Sequence, residues 1–397
     1  MPSFRFIHCA DLHLGCRFVG VSAEDEDLGK AMREATFKAL DLIVDAVSEK
    51  DVDFVVFAGD VFDEETQSPR VRHLFAQALR RAGVPCYIAY GNHDYRREWE
   101  DCIPLPDNAF VFPPEGASVM YPDADSPVTE ITGISYDRRN VTEDLTQRIS
   151  GSPSLFTIAV LHCEVDAPEG SGMYSPCRSE AMTGRGVDYW ALGHVHTRSV
   201  IRRDPYIVYP GNTQGRNPRE TGEKGAYLVT VEDGGVSGME FLPTHSILWE
   251  SVSIDITGKD LDGLVEEISA TVGVGSLVRL TLTGRGDLDR MLRLNTEGAA
   301  EAIAKASGCR LVGLELQTSE SVDLEARRGS GDFVDAALTE ADRLTGEGRE
   351  AILDEICRTK ASQNVRRVFE AMEDGELEAM VRDASRLLAE RLMEAGR

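Results

Sequence analysis

The sequence predicts an α/β (α+β) protein: a two-sheet β-sandwich flanked by helices, then a small α/β cap domain and a helical C-terminal tail. Three observations support this prediction. Apolar runs of strand length alternate with helical patterns up to about Tyr90, which is typical of a parallel sheet covered on both faces. Shorter apolar runs between Pro, Gly and Asp follow and indicate a second sheet. From Phe333 onward the pattern is helical throughout.

The first part of the chain predicts three strands and two helices. Ser68 is a good N-cap and Pro69 suits the first position of a helix. The predicted elements are, in order, strand Phe4–Ala10, helix Glu24–Glu49, strand Asp53–Ala58, a helix from Ser68 to about Ala82, and strand Cys86–Tyr90.

The second sheet is expected to begin with antiparallel strands at Ala109–Phe112, Ser118–Tyr121 and Val128–Ile134. Leu155–Leu161 and Asp188–Leu192 are predicted strands on either side of a polar segment, 163–187. That segment is rich in Gly and Ser, which predicts a functional loop. A closing meander is predicted at Ser199–Arg203, Tyr206–Tyr209, Ala226–Val231 and Gly238–Leu242.

The pattern divides the chain into regions 1–247, 248–318, 319–332 and 333–397. The second region is predicted to be a compact β-α-β-α-β unit with helices at Asp260–Val272 and Leu288–Ala306, and the third a polar linker. The last helix places apolar residues, among them Leu377, Leu387, Leu388 and Leu392, on one face. That face suits packing onto the body of the protein or docking of another helix, and the sequence leaves both open.

The overall charge restricts the kinds of partner. With 42 basic and 68 acidic side chains the formal net charge is −26, which argues against a protein that coats nucleic acid or an anionic membrane. It does not exclude a nuclease, because bound metal ions supply positive charge locally. The segment 198–224, with six basic and three acidic side chains, is a local basic patch.

The cysteines and the N-terminus predict a cytoplasmic protein without a membrane anchor. The chain has 8 cysteines and no CxxC spacing, so scattered thiols in a reducing compartment are expected rather than disulfides. Met1–His8 lacks the features of a signal peptide, and no apolar run reaches membrane-spanning length.

Five strand-like runs each end in His, Asp or Asn, which brings ligands to one rim of a sheet. Imidazole with carboxylate suits Mn, Fe or Zn better than Ca or Mg. Seven donors are too many for one ion but suit two ions that share a carboxylate, for which Asp60 is the natural bridge. Two such ions, roughly 3.5–4 Å apart, clamp a phosphate for in-line attack by activated water. The candidate ligands are Asp11, His13, Asp60, Asn92, His162, His194 and His196.

These motifs carry a family resemblance. Asp-x-His, Gly-Asp-x-x-Asp, Gly-Asn-His-Asp, His and Gly-His-x-His, in this order over residues 11–196, resemble the calcineurin-type metallophosphoesterase superfamily. His8–Gly15 and Gly59–Asp63 resemble the SbcD-type DNA repair exonucleases of bacteria. Asp188–His196 with Tyr209–Arg216 is similar to the YhaO branch of that group.

The resemblance implies roles for single residues. One ion would bind Asp11, His13, Asp60 and His196, and the other Asp60, Asn92, His162 and His194. His93 would stabilise the transition state or protonate the leaving oxygen rather than bind metal, and Asp63 would orient it. Asp94 is interpreted as a turn former. His8, His73 and His245 match no ligand position.

The sequence pattern identifies candidate substrate contacts less specifically than it identifies the metal ligands. Arg216 and Arg219 follow a turn expected near the metals, where phosphate contact and plain surface charge remain alternatives. Tyr95, Arg96 and Arg97 are interpreted as surface residues. Tyr174, in the long loop, is a candidate for stacking on a base.

Three functions are weighed. The resemblance implies a Mn-dependent DNA exonuclease, with added single-strand endonuclease action, that works in DNA repair with an SMC-like coiled-coil ATPase of the SbcC/YhaN type. Residues 333–397 would then be the docking element, and a homodimer is a further expectation. Fe, Zn or Mg are the other candidate metals. A small-molecule phosphodiesterase or phosphatase is the alternative, and a non-catalytic scaffold is the third hypothesis.

Overall fold

The computed structural model describes residues 3–16, 26–63, 67–95, 100, 102–168, 172–320, 325–358 and 366–395. Its strands are β1 (Phe4–Cys9), β2 (Phe54–Ala58), β3 (Cys86–Ala89), β4 (Ala109–Val111), β5 (Ala117–Tyr121), β6 (Thr129–Ile134), β7 (Phe156–His162), β8 (Glu164–Val165), β9 (Pro176–Cys177), β10 (Tyr189–Gly193), β11 (Ser199–Arg203), β12 (Tyr206–Tyr209), β13 (Gly225–Glu232), β14 (Gly235–Pro243), β15 (Trp249–Asp255), β16 (Leu277–Arg285) and β17 (Arg310–Ser319).

The helices lie between and after these strands. They are α1 (Glu26–Glu49), α2 (Pro69–Ala82), α3 (Leu261–Thr271), α4 (Leu288–Leu294), α5 (Thr296–Ser307), α6 (Phe333–Glu347), α7 (Arg349–Ile356), α8 (Arg366–Glu370) and α9 (Asp374–Ala395). Short 3₁₀ helices span Leu145–Arg148, Ser179–Met182 and Glu325–Arg327. Within the described residues, none of the helices combines the length and the apolar content needed to cross a bilayer.

The first six-stranded sheet has the order β14-β13-β1-β2-β3-β4. Strands β1 to β4 are parallel, as predicted for the first three, and β13 runs antiparallel to β1. The assignment of Ala109–Phe112 to the second sheet is wrong, because Cys86 to Ile88 pair in parallel with Ala109 to Val111.

The second six-stranded sheet has the order β11-β12-β10-β7-β6-β5. Its four central strands are parallel, and only the edge strands β5 and β11 run antiparallel to their neighbours. Strands β6, β7 and β10 are buried along their whole length, as parallel strands covered on both faces usually are. The antiparallel prediction for Ser118–Tyr121 and Val128–Ile134 therefore holds, since they form β5 and β6. The predicted meander is likewise divided, with β13 and β14 in the first sheet.

Three apolar layers hold the sheets and helices together. Phe75 of α2 and Ile43 of α1 pack on the outer face of the first sheet. Phe6, Phe54 and Tyr189 lie in the layer between the two sheets, where the ring centroids of Phe6 and Phe54 are 5.4 Å apart. Trp190, Leu161 and Met182 lie in the third layer, on the far face of the second sheet. The sandwich predicted from the sequence is confirmed.

Local sequence signals explain where the helices begin and end. Ser68 accepts a hydrogen bond from the Val71 amide at 3.3 Å, Pro69 occupies the first turn, and Gly83 ends α2 with φ +67°. The predicted helix Leu288–Ala306 is broken at Asn295, whose side chain instead caps α5 by accepting from the Gly298 amide at 3.0 Å. The beginning of the predicted helix at Glu24 and the side chain of Leu392 lie outside the described residues.

The chain forms two compact units. One comprises Met1–Asp255, Lys259–Thr283 and Asn295–Gln317, and the other comprises Ile256–Gly258, Gly284–Leu294 and Thr318–Arg397. In the first unit, Trp249 and Leu277 of the three-stranded sheet β15-β16-β17 pack against Leu28 and Met32 of α1. The second unit is held by small helical clusters, such as Ile352, Leu353 and Leu377. The region boundaries at 247, 318 and 332 remain predictions.

Candidate metal centre

The candidate ligands lie where strands of both sheets end. Asp11 and His13 follow β1, Asp60 follows β2, and Asn92 follows β3. In the second sheet His162 ends β7, and His194 and His196 follow β10. Four of these residues have left-handed backbone: Asp11, His13, Asp60 and His194 have φ of 53°, 43°, 50° and 102°. Such strained conformations of non-glycine residues cluster at functional sites.

Backbone contacts bring the first two strand ends together. The amides of Asp11 and His13 donate to the carbonyls of Gly59 and Asp60, both at 3.0 Å. Gly91 allows a further close approach, since a Cβ at this position would lie 2.3 Å from Asp60 Oδ1.

Asp11, His13 and His196 form one cluster of donor atoms, all within 4.8 Å of one another. The Nε2 atoms of His13 and His196 are 3.2 Å apart. His196 Nε2 lies 4.0 Å from Asp11 Oδ1. The Asp11 carboxylate is oriented by the amide of His194, which donates to both oxygens at 3.1 and 3.2 Å.

Asp60 connects this cluster to two others, Asp11–Asp60–His162 and His13–Asp60–His93. Its Oδ2 lies 3.7 Å from His13 Nε2 and 3.4 Å from His162 Nε2. Asn92 joins the His162 side, because its Oδ1 lies 3.0 Å from His162 Nε2. Asp60 therefore lies at the centre of the candidate ligands, and its role as a bridging carboxylate remains a prediction.

His194 lies beside the three clusters and is not a member of them. Its ring is 5.2 Å from that of His162, centroid to centroid. The ring centroid of Tyr174 lies 4.7 Å from that of His194, and the two ring planes are inclined by 41°. The long loop thus brings Tyr174 to the centre, where it packs on a candidate ligand.

His93 and Asp63 lie next to the clusters. Nδ1 of His93 is 3.9 Å from Asp63 Oδ1, longer than a hydrogen bond. The other oxygen of Asp63 is 3.7 Å from His13 Nδ1. Asp94 shapes the turn, as interpreted from the sequence: its carboxylate accepts from the amides of Val61, Phe62 and Gly91 at 3.0, 2.7 and 3.1 Å.

The electrostatics separate the histidines. Burial lowers the pKa of His13 and of His194 to about 3, so both rings are neutral. Burial also opposes charge on His162, but the facing carboxylates of Asp60 and Asp11 outweigh it and raise the pKa of His162 to about 9. For Asp60, the surrounding imidazoles outweigh burial and hold its pKa well below the usual range.

The donor set fits divalent metal ions. Nε2 is the ligand atom of His162 once the ring loses its second proton, because Nδ1 lies 3.1 Å from the carbonyl oxygen of Ala58 and donates to it. The buried Nδ1 of His13 has no hydrogen-bond partner within the described residues. Buried imidazoles and carboxylates that converge in this way are the ligands of Mn, Fe and Zn centres.

Glu220 is a residue of the centre that the sequence reasoning missed. Its Oε1 lies 3.0 Å from His196 Nδ1. The Arg216 guanidinium lies beside it, 3.7 Å from Glu220 Oε1 and 3.5 Å from Asp63 Oδ2. Burial raises the pKa of Glu220, but the hydrogen bond to His196 outweighs it and lowers the value to about 2. The available signal was weak, because Glu220 is one of three acidic residues in the basic segment 198–224.

The remaining candidates lie apart from these contacts. Arg219 is exposed, and its amide donates to Asn217 Oδ1 at 2.9 Å. Arg96 and Arg97 lie outside the described residues. His8 is buried between the sheets, with its ring nitrogens 3.1 Å from Tyr189 Oη and 3.2 Å from the Leu192 carbonyl oxygen.

Known proteins with similar sequences agree with this geometry. The calcineurin-like phosphoesterase family matches residues 4–198. The uncharacterized metallophosphoesterase YhaO of Bacillus subtilis is 35% identical over 327 residues, which are 76% of this chain and 79% of that protein.

Two archaeal relatives are more distant. The DNA double-strand break repair protein Mre11 of Thermoplasma acidophilum is 26% identical over 289 residues, 66% of this chain and 70% of that protein. Its counterpart from Methanocaldococcus jannaschii is 25% identical over 241 residues, 56% and 62% of the two chains. With motif order, strand-end geometry and relatives in agreement, the chain belongs to the calcineurin-like phosphoesterases and is a metal-dependent phosphoesterase.

Proposed function

We propose that this protein is a two-metal phosphodiester hydrolase that acts on DNA, as a Mn²⁺-dependent exonuclease with added single-strand endonuclease action in DNA repair. The observation that supports it most is a set of three overlapping donor clusters. Asp11, His13 and Asp60 each belong to two of them. Shared donors of this kind suit a pair of ions rather than one.

We assign the ligands as follows. One ion takes Asp11, His13, Asp60 and His196, and the other takes Asp60, Asn92, His162 and His194. When bound, the two ions activate water and offset the charge of the phosphate. The close approach of Asp60 to both His13 and His162 supports its role as the shared ligand.

The residues of the chain would carry the remaining steps. His93 is held by its amide, which donates to Asp60 Oδ1 at 2.9 Å, so its ring stands beside the shared ligand. There it donates a hydrogen bond to the phosphate or a proton to the leaving oxygen. Asp63 lies 3.9 Å away on the Nδ1 side and is proposed to orient the ring through its negative charge.

DNA as substrate is supported by the relatives. Two of them are named for the repair of DNA double-strand breaks. Basic side chains of the segment 198–224 border the centre, where Arg216 lies 3.4 Å from His196 Nδ1. Arg216, Arg219 and Tyr174 are the proposed contacts to the backbone and bases of the strand.

The helical region 333–397 is the proposed docking element for an SMC-like coiled-coil ATPase of the SbcC/YhaN type. Phe333, Leu387 and Leu388 are 82%, 58% and 51% exposed, which is more than is usual for apolar side chains at a contact between packed helices. A helix with an exposed apolar face is a common partner for another helix. A homodimer is also proposed.

A cleavage assay tests the proposed function. Linear double-stranded DNA, single-stranded circles and an artificial small phosphodiester are each incubated with the metal-free protein and with Mn²⁺, Fe²⁺, Zn²⁺ or Mg²⁺. We expect DNA ends to be degraded with Mn²⁺ and no cleavage without metal. The Asp60→Asn variant, which weakens the shared ligand, serves as the inactive control.

A small-molecule phosphodiesterase is the second candidate, favoured by the net charge of −26, which repels a polyanion. Hydrolysis of the small ester with intact DNA in every metal would favour it over the nuclease. Absence of bound metal and of all hydrolysis would instead favour a scaffold.

A further inference from the structure

We infer that Glu220 is a positioning residue of the metal centre: it selects the tautomer and the orientation of His196. The inference rests on the proposed metal site, in which His196 is a ligand. Glu220 lies 24 positions beyond His196 and outside the residues 4–198 that match the family.

The carboxylate of Glu220 is saturated with hydrogen-bond donors. Oε1 accepts from Asn217 Nδ2 at 2.8 Å as well as from His196 Nδ1 at 3.0 Å. Oε2 accepts from Asn212 Nδ2 at 2.7 Å and from the amide of Arg216 at 2.8 Å. A carboxylate with this many donors is ionised and accepts only, so the nitrogen of His196 that faces it carries the proton.

The position of the proton decides what His196 does. With the proton on Nδ1, the lone pair lies on Nε2, the atom that faces His13 Nε2 and Asp11 Oδ1. A hydrogen bond from the outer nitrogen to a carboxylate also fixes the plane of the ring and raises its basicity as a ligand. Without Glu220, both tautomers and several ring orientations would be open to a ring that is 24% exposed.

Residues on both sides of Glu220 also form hydrogen bonds to the backbone of His196. The amide of Asn212 donates to the His196 carbonyl oxygen at 3.3 Å, and so does the ammonium group of Lys224, also at 3.3 Å. Asn212 is fully buried, and its side-chain amide bridges Glu220 Oε2 and the carbonyl oxygen of Gln214. The carboxylate is therefore held in place by residues of its own turn as well as by His196.

Arg216 connects this carboxylate to the proposed proton donor. Its guanidinium lies between Glu220 Oε1 and Asp63 Oδ2, at 3.7 and 3.5 Å. Through Asp63 the same network reaches His93. Removal of the charge of Glu220 is therefore expected to weaken metal binding first and to disturb the His93 side only indirectly.

The test is the binding of Mn²⁺ to the metal-free full-length protein, measured by titration calorimetry and by the electron paramagnetic resonance signal of free Mn²⁺. We expect Glu220→Gln to weaken one of two Mn²⁺ sites about 10–100-fold, as loss of a hydrogen-bonded partner of a ligating histidine usually does. The other site should keep its affinity. Glu223→Gln is the matched control, since it removes the same charge from an exposed position of the same turn.

A second measurement keeps the inference testable if Glu220→Gln does not fold. Nitrogen-15 NMR of histidine-labelled, metal-free wild type, with His196→Gln for assignment, should place the proton of His196 on Nδ1. A proton on Nε2 would overturn the inference, and so would a folded Glu220→Gln protein with both Mn²⁺ sites unchanged. Two intact sites in a wild-type protein that cuts no DNA would contradict the proposed function alone.

Discussion

The side chain of His93 is accessible to solvent. It is 29% exposed, close to the 24% of His196, while His13 and His162 are buried. A group that exchanges protons with water or substrate needs such access. The exposure of His93 therefore suits its proposed role, although it does not by itself separate His93 from the proposed ligand His196.

Replacement of His93 by Ala should leave metal binding intact and lower kcat by about 10²–10⁴-fold, the usual contribution of a general acid. Mass spectrometry of the bound metal checks the retained metal binding, and the rate of Mn²⁺-dependent hydrolysis checks the loss of kcat. His73→Ala, at an exposed position of α2, is the control and should behave as wild type. Full activity of His93→Ala would refute the role.

His162 makes metal binding depend on pH. Its pKa of about 9 lies above the ordinary value of 6.5, so at pH 7 the metal-free ring is protonated, while a ligand must be neutral. Metal binding therefore expels this proton, and the affinity should rise about tenfold per pH unit until pH approaches 9.

Calorimetry of Mn²⁺ binding in two buffers of different ionisation enthalpy measures the proton release. At pH 7.5 we expect about one proton per protein from His162, since burial keeps His13 and His194 neutral. Binding with no proton released at this pH would contradict the expectation.

At the scale of elements, the turn after β3 depends on a glycine. Gly91→Ala would place its Cβ 2.3 Å from Asp60 Oδ1. We expect loss of Mn²⁺ binding and a decrease of about 1–3 kcal/mol in the free energy of unfolding, as for other overpacked sites. Gly346→Ala in α6 is the control: nothing lies within 4 Å of its Cβ, so it should be neutral or slightly stabilising in urea unfolding.

The sequence predicted what is encoded locally. Each candidate ligand lies within a few residues of a buried strand, so one apolar run and one motif were enough to bring Asp11, Asp60 and His162 to one rim. The caps of α2 are similarly local. The parallel pairing of β6 with β7 was not predictable. Parallel strands are usually connected by a long helix, and the segment between these two strands has none. Glu220 was missed because its contact with a candidate ligand, His196, spans 24 positions, while its other hydrogen-bond partners lie in its own turn.

At the scale of the whole molecule, the basic segment beside the centre and the exposed apolar residues of the C-terminal helices belong to different compact units. The basic segment 198–224 belongs to the first compact unit, which carries the metal centre. The exposed apolar residues Phe333, Leu387 and Leu388 belong to the second. Hydrolysis and partner binding should therefore be separable by mutation.

A variant with Leu387→Asp and Leu388→Asp should lose binding to the SMC-like ATPase in a pull-down, because two charges on an apolar face oppose docking. Mn²⁺-dependent hydrolysis by the nuclease alone should not change. Arg382→Asp alters the charge of α9 by the same amount, about one and a half turns along the helix and roughly 120–140° around it, and should retain the partner. An undiminished pull-down of the double variant would reject this surface.

Trp249, the first residue of β15, is hydrogen-bonded to the turn that carries Glu220. Its indole nitrogen donates to the carbonyl oxygen of Gly215 at 3.0 Å, and Gln214 binds the carbonyl oxygen of Ile247 at 2.7 Å. The same turn continues through Arg216 to the carboxylate that holds His196. The first strand of the third sheet is therefore hydrogen-bonded to the turn whose Glu220 side chain holds the ring of His196, so a displacement of Trp249 would shift that turn and, with it, the proposed ligand.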